Sequence, residues 1–359
     1  MGNQISFTVT EYEVQRQAIG AMVPLYIEPR GKADAITIIV FTIVYCINFL
    51  AVVYMLWHRN YPPIKAKSVK VMAMMMVLMA IWFIGDLQGN GHVPLINTAM
   101  TNCKGFGIWM RLLLGVCGVF SLMTLRAYGL YRIFHLHQTY HSWALYLVLG
   151  VYWLCILIFG VVSQVLPDRI TTQYMPAIDI CNVHSHYQTT LYAFMCTNVA
   201  VVIGFHWMIR NIKSSFNETR EMVVTCIIVL GHIVYSTILN YAPLKNPYPF
   251  VQNLRIIYTV LSHIGVNSMW WLVMSIPLYN CIFNRQRYLV HWITKLRDDG
   301  CRRSTTTMGR HETGLLYAKG SIYSGKDANT ITRPHMVFSQ PPNSLTSRKG
   351  GFGIGRTIL

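Results

Sequence analysis

Seven apolar runs, separated by short polar turns, constrain this chain more than any other feature. They cover roughly residues 35–57, 71–87, 106–134, 143–165, 187–209, 222–241 and 251–283. A helix rises about 1.5 Å per residue and the hydrocarbon core of a bilayer is ~30 Å thick, so each run is long enough to span it, the second being the shortest. The third, roughly 40 Å as a helix, is long enough to cross at a tilt and protrude on one side. Turn chemistry divides the runs at Tyr61-Pro62-Pro63, Gly89-Asn90-Gly91, His141-Ser142, Pro167-Asp168, Ser214-Ser215-Phe216-Asn217 and Asn246-Pro247-Tyr248-Pro249. Only 12% of the residues are charged and 53% are hydrophobic, against about 25% charged in soluble domains. The expected fold is an all-α membrane protein, a seven-transmembrane-helix bundle over residues 35–283.

Lys and Arg set its orientation. With the amino terminus outside, the short inner loops hold Arg59, Lys65, Lys67, Lys70, Arg132, Arg210, Lys213 and Arg220. The outer loops hold Lys104, Arg169, Lys245 and, at the rim, Arg255. The excess favours an outer amino terminus and an inner carboxyl terminus. The net charge of +17 forms no soluble basic patch with interleaved aromatics, so nucleic acid is not the expected partner. The basic segments flank apolar runs, where anionic inner-leaflet lipid is the matching partner.

This topology tests the short motifs. Residues 1–34 form an extracellular segment without the apolar run of a signal peptide. Met1-Gly2-Asn3-Gln4-Ile5-Ser6 fits the loose myristoylation pattern, but on the outer side. The sequon Asn217-Glu218-Thr219 falls in an inner loop and is read as chance. Cys103 and Cys181 are the two cysteines of the outer segments. A disulfide between them would tie the second outer loop over the bundle mouth, the alternative being two unpaired thiols.

After the seventh run, residues 284–298 read as an amphipathic interfacial helix: Tyr288, Leu289, Trp292, Ile293 and Leu296 recur at helical spacing among basic residues. Cys281 and Cys301 flank it as lipidation candidates, plain thiols being the alternative. Residues 299–359 have the composition of a disordered cytoplasmic tail, with Ser304 and Thr305 beside Arg302-Arg303 as phosphorylation candidates.

Ionisable residues inside spans are costly and draw attention. Asp86 lies at the outer end of the second run and Arg111 near that of the third. They either face each other, forming a salt bridge beneath the outer loops or binding a polar ligand, or stand apart with Arg111 snorkelling to the headgroups and Asp86 in water. His206, His232 and His263 sit in three runs at depths that do not line up, so a three-histidine metal site is rejected. Gly115, Gly118 and Ser121 read as helix packing, and Met72 to Met79 as lipid-facing or core filler. No catalytic motif, metal-ligand spacing or phosphate loop is present, so neither enzyme activity nor a cofactor is expected. The seventh run lacks a lysine for a retinal Schiff base.

Two stretches carry a family likeness. Leu122-Met123-Thr124-Leu125-Arg126 with Leu130-Tyr131-Arg132-Ile133-Phe134, and Ser215-Phe216-Asn217-Glu218-Thr219-Arg220-Glu221, resemble the membrane half of the seven-helix regulators of G-protein signalling of plants and fungi. The Cys103–Cys181 pair and the short interfacial helix are similar to G-protein-coupled receptors more broadly. The likeness covers roughly residues 35–300, and the segment after the seventh run is too short for the accelerator domain of that family. The chain also lacks Asp-Arg-Tyr after the third run and Asn-Pro-x-x-Tyr in the seventh. The resemblance implies a plasma-membrane sensor. Asp86, Arg111, Tyr248 and Arg255 would meet an unidentified ligand. Arg126, Arg132, Arg210, Asn217, Glu218 and Arg220 would meet a heterotrimeric G protein. The rival reading is a small-solute transporter or channel, whose polar path Asn48, Asn198, Asn240 and Asn267 would supply.

Overall fold

The computed structural model describes residues 8–22, 26–134, 143–209, 218–241 and 248–295, without the side chains of residues 144, 218–220 and 222. Among the described residues, seven helices are long and apolar enough to cross a membrane. In chain order the spans are Lys32–Trp57, Val69–Gly89, Lys104–Cys117 continued by Gly118–Phe134, Trp143–Val165, Ser185–Ile209, Glu218–Tyr241 and Gln252–Phe283. Each starts within four residues of its apolar run, because the runs are set by hydropathy and the turns by proline, glycine and asparagine.

The first and fourth spans each keep one apolar stripe outward. Ile36, Ile39, Val40, Ile43 and Ile47 are exposed on the first span, whereas Ile38, Phe41, Tyr45 and Val52 are buried. On the fourth, Leu147, Val151, Leu154, Ile158 and Val161 face outward. Apolar surface at helical spacing on the outside of a bundle is lipid-facing surface. The methionine run divides between these surroundings. Met72, Met75, Met76 and Met79 fill the core around Trp270, whose indole Nε1 donates to the Met72 carbonyl at 2.9 Å, while Met74 points out.

Spans two and three approach most closely. A Cβ on Gly85 would lie 2.7 Å from the Arg111 Cα, and one on Gly115 would lie 2.6 Å from the Trp82 Cβ. Only hydrogen fits at either position. Gly118 meets the end of the Leu78 side chain at 2.8 Å, a softer contact, so this face packs as its small residues lead one to expect. The third span departs from the expected regular α-helix: over Lys104–Cys117 it is π-helical. Wider winding of this kind usually occurs as single turns and is frequent at functional sites; here it carries Gly107, Ile108, Arg111, Leu112 and Val116 to the wall of a cavity.

Two elements at the Cys103 end were not apparent from periodicity. A helix, α1, occupies Glu11–Met22. In the connection between the fourth and fifth spans, β1 (Thr172–Met175) and β2 (Ile180–Val183) form an antiparallel hairpin with Tyr174 opposite Cys181. These strands are four residues each, too short for alternation to stand out. Cys103 and Cys181 are disulfide-bonded.

At the other end, residues 285–295 continue as a helix after Asn284. Tyr288 and Leu289 pack on the core, Val290 and Ile293 are exposed, and the Tyr61 hydroxyl donates to the Arg285 carbonyl at 3.0 Å. The rest of the expected interfacial helix, the tail with Cys301, Ser304 and Thr305, and Gly2 lie outside the described residues, as do Arg210 and Asn217.

Candidate functional site

The disulfide end of the bundle encloses a cavity of about 590 Å³, within the range of small-molecule pockets. The second span contributes Trp82 and Gln88, the third Arg111, the fifth Tyr192, the sixth His232 and Ser236, and the seventh Tyr258. Tyr248 and Phe250 close it from the connection before the seventh span, and Ile180 and Cys181 of β2 from above. The disulfide therefore fixes one wall of the cavity as well as the loop over it.

A buried polar chain underlies this cavity. Arg111 Nε lies 2.5 Å from Asp86 Oδ1, and His263 Nε2 lies 3.1 Å from Asp86 Oδ2. These are close ionic contacts, although neither carboxylate oxygen meets hydrogen-bond geometry. An Arg111 terminal nitrogen donates to Asn90 Oδ1 at 2.8 Å, and the Asn90 amide donates to Thr259 at 2.7 Å. His263 Nδ1 is 3.0 Å from the Tyr45 hydroxyl. The Asn267 amide donates to the His263 carbonyl at 2.6 Å, and the Asn48 amide to Asn267 Oδ1 at 2.6 Å. Of the two arrangements left open by the sequence, the structure adopts the pair. Asp86 is fully buried, and Arg111 covers it from the cavity side.

Beside the cavity, Asp34 at the start of the first span accepts from Arg255 Nε at 2.8 Å and a terminal nitrogen at 2.6 Å. Its Oδ1 is also 2.8 Å from His92 Nδ1. Asp34, His92 and Arg255 are all buried. Arg255 thus clamps the first span to the seventh and does not line the cavity, whereas Tyr248 does, its hydroxyl donating to Asn90 at 3.4 Å.

A second set of ions latches the amino-terminal segment. Arg30 lies 2.6 Å from Asp179 Oδ2 in the hairpin turn and donates to the Asp179 carbonyl at 2.7 Å. Its own amide donates to Glu13 of α1 at 3.1 Å, and Glu13 holds Arg16 at 2.6 Å. Burial pushes the Asp179 carboxyl up, but Arg30, the Leu95 amide and the Tyr174 hydroxyl outweigh it and hold it below the ordinary value. Burial and the neighbouring Arg30 pull the Arg16 guanidinium down to about 10.

At the opposite end, Glu221 at the base of the sixth span lies 3.0 Å from Lys67 Nζ and 3.4 Å from an Arg126 terminal nitrogen. Arg126, His206 and Glu221 border a small void of about 30 Å³. Arg132, further along the third span, is buried. Glu218 and Arg220 lie on the sixth-span helix, Arg220 next to Glu221 in the chain. Cys281 is buried and accepts from the Tyr54 hydroxyl at 3.8 Å, so it is not open to an acyl donor in this packing.

The four asparagines proposed for a solute path do not share one. Asn48 pairs with Asn267, Asn198 accepts from Tyr152 at 2.6 Å, and Asn240 accepts from Gln188 at 3.1 Å. No group of three His, Cys, Asp or Glu residues fit to hold a metal occurs among the described residues. His206 bonds its own helix at the Val202 carbonyl, at 2.8 Å.

Sequence reasoning missed Glu221, Lys67, Asp34 and His263 as partners. Glu221 ends the distinctive Ser215–Glu221 stretch, and Asp34 is the acid immediately before the first apolar run; both could have been flagged as charges at span ends that need a partner. Their actual partners are distant in sequence.

A search of curated proteins returned no match. The family model described as "7 transmembrane sweet-taste receptor of 3 GCPR" matches residues 30–275, more than half of the chain and the cavity-bearing bundle as far as Ser275 in the seventh span. With seven spans, the bonded cysteine pair and this match, the chain belongs to that family of seven-transmembrane G-protein-coupled-receptor-like integral membrane proteins.

Proposed function

We propose that the protein takes a ligand in the cavity at the disulfide end and passes the resulting change to a heterotrimeric G protein at the opposite end. The excess of Lys and Arg in the loops of the other end supports a disulfide end outside the cell and a carboxyl terminus inside, and the membrane of this reading is the plasma membrane. Residues 35–283 are the signalling domain, 284–298 an interfacial helix against anionic inner-leaflet lipid, and 299–359 a cytoplasmic tail open to modification at Cys301, Ser304 and Thr305. Arg111 and Tyr248 line the ligand site, Asp86 supports it from below, and Arg255 acts only through the clamp that holds the first span to the seventh.

The observation that carries this reading is the Glu221 clasp. One carboxylate within 3.0 Å of Lys67 and 3.4 Å of Arg126 joins the loop after the first span to the third and sixth spans. A clasp of this kind distinguishes two packings of a bundle: it is made when the third and sixth spans are together and lost when they part. A ligand selects between such packings through its different affinity for each. By their place in the sequence near Arg126 and Glu221, Arg132, Arg210, Asn217, Glu218 and Arg220 are assigned to the G-protein contact, Arg132 being buried in this packing.

The test is co-purification from detergent-solubilised membranes with and without guanine nucleotide. A Gα subunit that copurifies and is released by nucleotide supports the reading. A receptor that is folded by thermal unfolding, yet brings down no nucleotide-sensitive Gα in its native host, refutes the coupling.

A further inference from the structure

The lining of the cavity also specifies the charge of what it holds, an inference that rests on reading the cavity as the ligand site. Among the described residues, no aspartate or glutamate lines it. The nearest acid, Asp86, is covered: its side chain is 1% exposed, whereas that of Arg111, the residue above it, is 22% exposed. The ion pair therefore turns its cationic side to the cavity. Arg111 commits Nε to Asp86, one terminal nitrogen to Asn90 and a further donor to the Tyr248 hydroxyl, and its planar fork carries five N–H donors. Donors remain for an incoming acceptor. Above this floor the wall is aromatic, with Trp82, Tyr192, Tyr248, Phe250 and Tyr258. His232 stands between Trp82 and Tyr258, its ring 5.9 Å and 6.0 Å from theirs. At the rim, Gln88 directs its amide nitrogen to the Met100 carbonyl at 2.6 Å, leaving Oε1 buried without a partner.

We propose that the cavity takes an aromatic molecule whose polar head accepts hydrogen bonds, a carboxylate or an amide carbonyl, and rejects the corresponding amine. An ammonium placed here would lie beside a guanidinium with no carboxylate to meet it, and a buried charge without a counter-charge is strongly disfavoured. The head docks on the free donors of Arg111 and the ring lies among the aromatic walls. Gln88 Oε1 then accepts from a ring N–H where the molecule has one, which a carbocycle cannot supply.

Three probes with one ring system separate the alternatives: indole-3-acetate, indole-3-acetamide and tryptamine. Binding to the purified full-length receptor is read by saturation-transfer NMR, with Gly107→Phe as a plugged control. A Cβ at Gly107 comes no closer than 3.5 Å to Gln88 Oε1, so the larger side chain enters the cavity without a backbone clash. Leu191→Trp, from the facing wall, replaces it if Gly107→Phe does not fold. The acid and the amide are expected to give plug-sensitive binding and tryptamine none. In the charge-neutral pair Asp86→Asn with Arg111→Gln, acid binding falls ~10-fold or more while amide binding is kept, the loss of one charge-assisted hydrogen bond. Plug-sensitive binding of tryptamine equal to or above that of the acid overturns the head-group assignment and leaves the cavity as a ligand site. If no probe binds in a plug-sensitive way, the cavity reading itself falls, and this assignment with it.

Discussion

Replacing Asp34 by Asn is the sharpest perturbation of the frame around the cavity. The carboxylate accepts two hydrogen bonds from Arg255, at 2.8 and 2.6 Å, and faces His92 at 2.8 Å, with all three residues buried. The substituted asparagine keeps the volume and one acceptor but leaves the Arg255 guanidinium buried without its counter-charge. Removing one partner of a buried pair costs about 3–5 kcal/mol. For a domain of this size that lowers Tm by roughly 6–10 °C, taking about 2 °C per kcal/mol. Cys117 and Cys281 are buried free thiols, so in a background with the accessible Cys46, Cys155, Cys196 and Cys226 replaced by Ala a thiol-reactive fluorophore reports unfolding of the detergent-solubilised protein. The double variant Asp34→Asn with Arg255→Met removes the unpaired charge and should recover at least about 1 kcal/mol relative to additivity, as expected for groups in direct contact. A single variant within about 2 °C of the unmodified protein, or a double variant whose losses simply add, refutes the claim that this pair clamps the first span to the seventh.

Three further outcomes rest on the geometry. Glu221→Gln weakens the hold on Lys67 and Arg126 together, and basal guanine-nucleotide exchange on the partner G protein should rise several-fold; unchanged exchange removes the clasp from the mechanism. Gly85→Ala forces a methyl to within 2.7 Å of the Arg111 backbone, an overpacking cost of about 1–3 kcal/mol, seen as a lower Tm, whereas Gly204→Ala, inside a helix with open space around it, should keep or slightly raise Tm because Ala is the better helix former. The Asp179 carboxyl sits below its ordinary value because Arg30, Leu95 and Tyr174 outweigh its burial. A depressed acid adds stability that is complete above its unfolded value of about 3.9 and is lost as pH falls through the lower folded one. Amide-exchange protection of the β1–β2 hairpin should therefore be equal at pH 7 and pH 5 and decline only below about pH 4. A decline between those two values would assign the latch to a different group.

The two halves of the site were unequally legible in the sequence. Cys103 and Cys181 could be paired because topology left them alone on one side, and Asp86 and Arg111 drew attention because charges in apolar runs are rare. Their arrangement was not legible. Whether Arg111 pairs with Asp86 depends on Gly85, which lets the third span come close enough for the guanidinium to fold over the acid. Arg255 was grouped with the ligand residues because it lies at a rim. It is held instead by Asp34, more than two hundred residues away in the chain. The hairpin was missed because two four-residue strands inside a polar connection carry too little pattern.

The sequence by itself determined the seven spans, since hydropathy over about twenty residues is a local property that the bilayer reads directly. It also determined where the chain turns between spans, because Pro, Gly and Asn act on their own backbone. Tertiary structure alone decided which face of each span meets which neighbour, the π-helical winding of the third span over Lys104–Cys117, and the partner of every buried charge. Those depend on contacts among side chains remote in the chain. In a bundle whose spans are apolar on nearly every side, periodicity alone does not select among them.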